Sequence, residues 1–129
     1  MYGDSYMHID YAAVLAHFTK ADAQGLMTVL RNDDRWDRSN VVWRDGRLVR
    51  YDKRARSPEM SYIDYGVALL RRQALERVPP DQPYDLADLY TALVAEGRMI
   101  GYEVTRRFYE IGTPVGLEET RAYIMAHAA

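Results

Sequence analysis

Short apolar runs alternate with amphipathic helical segments along this sequence, and no other feature narrows the possible folds as far. Strand-like runs lie at 26–30, 60–70 and 99–104, and helical patterns lie at 11–18, 86–95 and about 115–127. Strands interleaved with helices are typical of α/β proteins, in which helices cover the faces of a sheet. The pattern therefore predicts an α/β fold, with a mixed sheet between helices in three layers.

A β-hairpin is inserted into this alternation. Two alternating runs, 40–43 and 48–51, flank an Asp45-Gly46 pair, which is a strong hairpin signal between such runs. The run at 60–70 has a glycine near its centre, so we expect that strand to be broken or bulged at 64–66. Because no linker or repeat divides the chain, residues 1–129 are expected to form a single domain.

Composition excludes several classes of protein. Hydrophobic residues make up 48% and charged residues 28%, which is the balance of a soluble globular domain. The absence of cysteine excludes disulfides and thiolate metal sites. No run of about 18 apolar residues exists and the first residues lack a secretory pattern, so we expect a cytoplasmic protein without membrane contacts. A formal net charge of −2 argues against nucleic acid as a partner.

Two carboxylates, Asp4 and Glu110, lie in turn-like segments that precede helical patterns. Carboxylates presented on turns at the ends of elements can share a magnesium ion, which prefers oxygen ligands. They can equally favour the start of the helix that follows, because a negative charge is stabilised at a helix N-terminus. The residues alone leave both interpretations open.

Lys53 follows the second strand of the hairpin and is one of only two lysines in the chain. A lysine in this place can hold a phosphate as a compact positive charge, or it can be an ordinary solvated side chain. The arginines of the hairpin suggest a nucleic-acid interface, but alternation divides them between two faces, and Asp45 and Asp52 dilute their charge. We therefore expect a solvated hairpin surface.

Asp64 and Gly66 lie inside the apolar run 60–70. A charged aspartate within an apolar strand is expected to be paired or to contact a ligand. A neighbouring glycine allows the backbone to approach such a ligand closely. Lining of a pocket and a local bulge are equally good interpretations of this pair.

Five motifs occur in the order found in the sugar-1-phosphate nucleotidyltransferases, and they span essentially the whole chain. They are Tyr-Gly-Asp-Ser-Tyr (2–6), Ser-Asn-Val-Val (39–42), Tyr-Asp-Lys (51–53), Tyr-Ile-Asp-Tyr-Gly (62–66) and Phe-Tyr-Glu-Ile-Gly-Thr-Pro (108–114). Through them the chain resembles bacterial heptose- and mannose-1-phosphate guanylyltransferases, which are enzymes of nucleotide-sugar biosynthesis. In this family a sugar 1-phosphate oxygen attacks the α-phosphate of a nucleoside triphosphate and pyrophosphate leaves.

The resemblance also implies roles for individual residues. It implies Asp4 and Glu110 as ligands of a magnesium cofactor, Lys53 as the catalytic residue that holds the sugar phosphate, and Asp52, Asp64, Gly66 and Thr113 as substrate-binding residues. Glu110 departs from the family pattern, which commonly has aspartate there. The implied partner is a sugar 1-phosphate.

The family's Gly-rich loop, which binds the nucleoside triphosphate, has no counterpart in this sequence. The chain therefore resembles the carboxyl-terminal half of a Rossmann-like nucleotidyltransferase, and residues 1–129 are interpreted as one partial domain. Such a half is expected to be inactive alone and to use a nucleoside triphosphate only when the nucleotide-binding half is supplied. The alternative is a stand-alone, non-catalytic binding or interaction module. An open strand edge is expected to make the chain a homo-oligomer.

Overall fold

A computed structural model describes residues 5–7, 9–35, 38–54 and 57–128. Seven strands and four helices lie in this described part of the chain. In order they are β1 (Ser5–Tyr6), α1 (Tyr11–Lys20), β2 (Gly25–Arg31), β3 (Val41–Arg44), β4 (Arg47–Tyr51), β5 (Tyr62–Leu70), α2 (Arg72–Leu75), α3 (Leu86–Ala95), β6 (Met99–Val104), β7 (Tyr109–Glu110) and α4 (Pro114–His127). The α/β class, the mixed strand directions and the β3–β4 hairpin are as the sequence predicts.

Five strands form a closed barrel in the order β2-β5-β3-β4-β6, and β6 returns to pair with β2. The β2–β6 pair is parallel and the other pairs are antiparallel. The prediction of a plain three-layer sheet was therefore wrong. The physical reason is that the inserted hairpin pairs on both sides, with β5 through β3 and with β6 through β4, and so joins the two edges of the sheet. The open edge that we expected is absent from these five strands, and self-association stays a prediction.

The hairpin is attached to the rest of the barrel by two short seams. On one side, Val41 pairs with Tyr62. On the other side, Arg47 pairs with Ile100, and the Gly101 N–H donates to the Gly46 carbonyl at 3.0 Å. The β2–β6 ladder, in contrast, runs over six residue pairs from Gly25 to Leu30, so it is the continuous part of the barrel.

Strand β2 is buried on both faces, which explains its unbroken apolar sequence. Met27 and Val29 belong to the cluster that includes the core face of α3, while Leu26 packs in the cluster with α1. Two of the residues that the helical patterns place on core faces are solvent-exposed instead. Leu15 of α1 is 53% exposed and Leu86 of α3 is 44% exposed.

Aspartate side chains begin α1 and α3. Asp10 accepts a hydrogen bond from the Ala13 N–H at the start of α1, and Asp85 caps α3 in the same way. Gly97, just beyond α3, has a φ of 70° and ends the helix where we expect it. No helix in the described ranges is long and apolar enough to span a membrane.

The segment 108–114 contains the short strand β7. It pairs antiparallel with β1, matching Ser5 with Glu110 and Tyr6 with Tyr109. This two-stranded ribbon leads directly into α4. It packs against the barrel through Phe108, whose ring lies edge-on to the buried Tyr65 ring with the centroids 6.0 Å apart. The ribbon and α4 therefore form a small layer beside the barrel.

Candidate functional site

Strand β5 bulges where the sequence places Asp64 and Gly66. Asp64 pairs with Val29 and Ala68 pairs with Met27, so three residues of β5 face the single residue Thr28. The buried Thr28 hydroxyl spans this irregularity, since it donates to the Val67 carbonyl at 2.6 Å and lies 3.3 Å from the Val67 nitrogen. The bulge interpretation of this segment is therefore observed.

Gly66 supplies the backbone conformation that the bulge requires. Its φ is 114°, a backbone conformation that residues with a Cβ rarely adopt. Its N–H donates to the Asp64 carboxylate at 2.9 Å, so the aspartate and the glycine act as one local unit. The bulge thereby holds a carboxylate in a half-buried position within an apolar strand.

Asn40 connects Asp64 to the turn that contains Asp52. Its side-chain oxygen accepts a hydrogen bond from the Asp64 N–H at 3.0 Å. Its backbone carbonyl accepts from the Asp52 N–H at 3.1 Å, and its own N–H donates to the Tyr62 carbonyl at 3.0 Å. Three of the residues proposed from the sequence, Asp52, Lys53 and Asp64, are thus brought to one end of the barrel by a residue that we did not single out. Its presence in the motif 39–42 was the available signal.

Two tyrosine rings lie on the same side of the barrel as Asp64. Because cross-strand partners share a face, Asp64 lies on the face of Val29, which belongs to the cluster containing Tyr51 and Tyr90. Burial raises the pKa of the Tyr90 phenol above its ordinary value, and the Asp64 carboxylate raises it further. The Tyr51 and Tyr90 rings meet edge-on with centroids 5.9 Å apart. Both rings are buried, with 2% of Tyr51 and 8% of Tyr90 exposed, so the Asp64 carboxylate lies beside the aromatic part of the core.

The turn after β4 presents Lys53 to solvent, which agrees with both interpretations of this lysine. Asp52 shapes this turn, because its carboxylate accepts a hydrogen bond from the Arg54 N–H at 2.8 Å. The same carboxylate forms a long ion pair of 3.8 Å with Arg50. The half-buried Asp52 thus holds the turn, and Lys53 projects beyond it.

Glu110 and Thr113 are also brought together, in the ribbon rather than at the barrel. The Glu110 carboxylate accepts from the Gly112 N–H at 2.7 Å and from the Thr113 hydroxyl at 2.8 Å. The Thr113 hydroxyl in turn accepts from the Gly116 N–H at 3.0 Å and caps α4. Both carboxylate oxygens of Glu110 therefore stabilise the turn that begins α4, which is the structural alternative left open by the sequence.

Glu110 is one of the two carboxylates that the resemblance implies as magnesium ligands. Asp4, the other implied ligand, lies outside the described residues, although its neighbour Ser5 pairs with Glu110. Within the described residues, no three His, Asp or Glu side chains are grouped as metal ligands would be. The metal role of Asp4 and Glu110 stays a prediction from the resemblance.

No protein-family model matches the chain, and no curated protein matches its sequence. Its structure is similar to the crystal structure of a Bacillus anthracis protein, described as a glucose-1-phosphate thymidylyltransferase, in complex with sucrose. The TM-score is 0.78 at 17% sequence identity, and the match covers 94% of this chain and 51% of the other. This chain therefore spans about half the length of the solved protein. At this identity the similarity establishes the fold, and the chain has the fold found in a sugar-1-phosphate nucleotidyltransferase.

Proposed function

We propose that this chain is the sugar-phosphate-binding half of a sugar-1-phosphate nucleotidyltransferase. The observation that carries the proposal is the pair of hydrogen bonds through which Asn40 holds the Asp52–Lys53 turn beside Asp64. A positively charged side chain and two carboxylates at one end of a barrel match the chemistry of a sugar phosphate. The solved protein with this fold supports the proposal, because it carries a sugar, sucrose, in its crystal.

Each group has a distinct task in this proposal. Lys53 binds the phosphate as a compact charge with three donors. Asp52 and Asp64 carry carboxylates that accept hydrogen bonds from sugar hydroxyls. The reaction itself joins a phosphate oxygen of the sugar 1-phosphate to the α-phosphorus of a nucleoside triphosphate, and the bond to the leaving pyrophosphate breaks. This chain contributes the positioning of the acceptor in that step.

The nucleotide-binding part of the reaction is proposed to come from a second half. The solved protein is about twice as long as the matched region, so half of its chain has no counterpart in the match. We therefore expect the chain alone to bind a sugar 1-phosphate without forming a nucleotide sugar. Pyrophosphate release from a nucleoside triphosphate by the chain alone would contradict this part of the proposal.

The second candidate function is a non-catalytic module that binds sugar phosphates. The observation in its favour is the Glu110 carboxylate, which is committed to the turn before α4 through Gly112 and Thr113. The two candidate functions predict different results when a nucleotide-binding half is added. Addition of the nucleotide-binding half of a related transferase should give pyrophosphate release for a partial enzyme and none for a binding module.

The decisive experiment is calorimetric titration with mannose, heptose and glucose 1-phosphates, with and without Mg²⁺. Saturable binding is expected, and Lys53→Ala should weaken it about 10- to 150-fold, as for loss of a charged hydrogen bond. Lys20→Ala is the matched control, because Lys20 is also exposed and lies at the end of α1. Equal affinity of Lys53→Ala and Lys20→Ala would remove Lys53 from the site. No heat with any sugar phosphate would refute the proposal.

A further inference from the structure

A cavity lies between the segment after β6 and the last turns of α4, outside the candidate sugar site. Its volume is about 410 Å³, within the range of small-molecule pockets. We call it the C-terminal cleft, and its lining residues are Arg106, Arg107, Tyr109, Tyr123 and His127. None of these residues belongs to the groups that surround Asp64 or Glu110.

A continuous stack of side chains forms one wall of the C-terminal cleft. The Arg107 guanidinium lies 4.4 Å from the Tyr109 ring centroid, and the Tyr109 and Tyr123 rings stack at 4.3 Å. The Tyr123 and His127 rings stack at 4.1 Å, as residues one helical turn apart can do. The wall therefore joins β7 to α4 through four consecutive planar groups.

The stack holds Arg107 in one orientation. Its Nη2 pairs with Glu119 at 2.8 Å, and its Nε donates to the Phe108 carbonyl at 3.2 Å. A guanidinium held on three sides does not have to be ordered when a ligand arrives, which favours binding. Glu119 offsets part of the positive charge of Arg107. The net charge of the cleft therefore depends on its second arginine, Arg106.

Arg106 supplies that charge. It is exposed, and it forms no ion pair with any residue in the described ranges. In His127, Nδ1 lies 2.8 Å from the Tyr123 carbonyl, which holds this ring in the stack. None of the five lining residues is acidic, and two carry phenol hydroxyls that can donate. In a chain of net charge −2, this cleft is a local concentration of cationic and hydrogen-bond-donating groups.

We propose that the C-terminal cleft binds the phosphate group of a small anionic molecule. Arginine matches phosphate because its planar fork donates two parallel hydrogen bonds, and the tyrosine hydroxyls add neutral donors. The cleft volume leaves room for more than one phosphate group, so inorganic pyrophosphate is the probe of choice. The inference does not depend on the proposed sugar-phosphate function, because it rests on different residues.

The test is calorimetric titration of the full chain with inorganic pyrophosphate, and separately with inorganic phosphate. Wild-type protein should bind pyrophosphate with an affinity that falls as salt rises. Arg106→Ala should weaken binding about tenfold or more, as for loss of one charged hydrogen bond. Arg106 is exposed and unpaired within the described residues, so this variant should fold normally. Arg121→Ala is the matched control, because Arg121 is exposed on α4 and pairs only weakly with Glu118 at 3.4 Å.

Three results would overturn the proposal. They are absence of pyrophosphate binding by wild-type protein, equal binding by Arg106→Ala and wild type, and equal loss in Arg106→Ala and Arg121→Ala. Lys53→Ala separates the two sites, since it should reduce sugar-phosphate binding and leave pyrophosphate binding unchanged. Loss of pyrophosphate binding in Lys53→Ala would place the anion at the barrel and refute the cleft. Loss of sugar-phosphate binding alone would leave the cleft standing.

Discussion

Replacement of Thr28 by valine should destabilise the fold through a single lost hydroxyl. Thr28 is fully buried, and its side chain is the polar group that spans the β5 bulge. The Val67 carbonyl at 2.6 Å and the Val67 nitrogen at 3.3 Å would both lose this partner inside the barrel. Each buried group left unpaired costs about 1–3 kcal/mol, and the added methyl of valine returns about 1 kcal/mol. We therefore expect a loss of about 1–5 kcal/mol in the free energy of unfolding.

Thr28→Ser is the matched control, because serine keeps the hydroxyl and removes only a methyl group. Loss of one buried methyl typically costs about 0.5–1.5 kcal/mol. Urea unfolding followed by circular dichroism gives both free energies, and an unchanged m-value shows that both variants unfold from an equally compact state. Thr28→Val should be less stable than Thr28→Ser. The opposite order, or a valine variant as stable as wild type, would show that the bulge does not depend on this hydroxyl.

Two further predictions concern Asp64 and Gly116. Asp64→Asn should lower the pKa of Tyr90, because the Asp64 carboxylate raises this pKa in addition to the effect of burial. Ultraviolet titration of the variant, with Tyr90→Phe as the reference, measures the change. An unchanged pKa would contradict the interaction between Asp64 and Tyr90. Since the folded-state pKa of Tyr90 is raised, its contribution to stability is complete below pH 10 and is lost as pH rises through the folded value. Gly116→Ala should cost about 1–3 kcal/mol in thermal or urea unfolding, because its Cβ would lie 2.6 Å from the Glu110 carboxyl carbon. Alanine normally stabilises a helix interior relative to glycine, so a stabilised variant would refute the packing around Glu110.

Local signals in the sequence were enough to predict most of the elements. Asp10 and Asp85 begin helices because their side chains accept from backbone N–H groups a few residues ahead, which is an interaction within one turn. Asp45 and Gly46 form the hairpin turn with φ angles of 51° and 80°, which these residue types tolerate. The bulge near Gly66 follows from the same kind of local argument. These features need no knowledge of distant partners.

Closure of the barrel could not be predicted in this way. It depends on pairings such as Val41 with Tyr62 and Arg47 with Ile100, which join segments far apart in sequence. Alternation shows that a run forms a strand, but it does not show which neighbouring edge the strand chooses. The short β1–β7 ribbon was missed because a two-residue strand is too short to show a period.

The residues of the candidate site also divide into those with a local sequence signal and those whose role depends on distant partners. Asp64 was found because a charge inside an apolar run needs a reason, and Lys53 because lysine is rare in this chain. Asn40 was missed, because an asparagine before a strand is common and its role depends on three distant backbone groups. The interpretation of Glu110 was left open by the sequence, and its hydrogen bonds to Gly112 and Thr113 favour the structural role.

The short seams of the β3–β4 hairpin have a consequence for dynamics. Because so few ladder bonds join this segment to its neighbours, the burial of Val41, Leu48 and Tyr51 in the core is what mainly holds it, and its opening as one cooperative unit requires the loss of that burial. Asn40 and Lys53 lie at the base of this unit, whereas Asp64 lies on the continuous side of the barrel. A ligand that bridges Lys53 and Asp64 would therefore tie the hairpin down and slow hydrogen exchange of its amides together. Ligand binding at this end of the barrel and the local stability of the hairpin are then thermodynamically linked, so each strengthens the other.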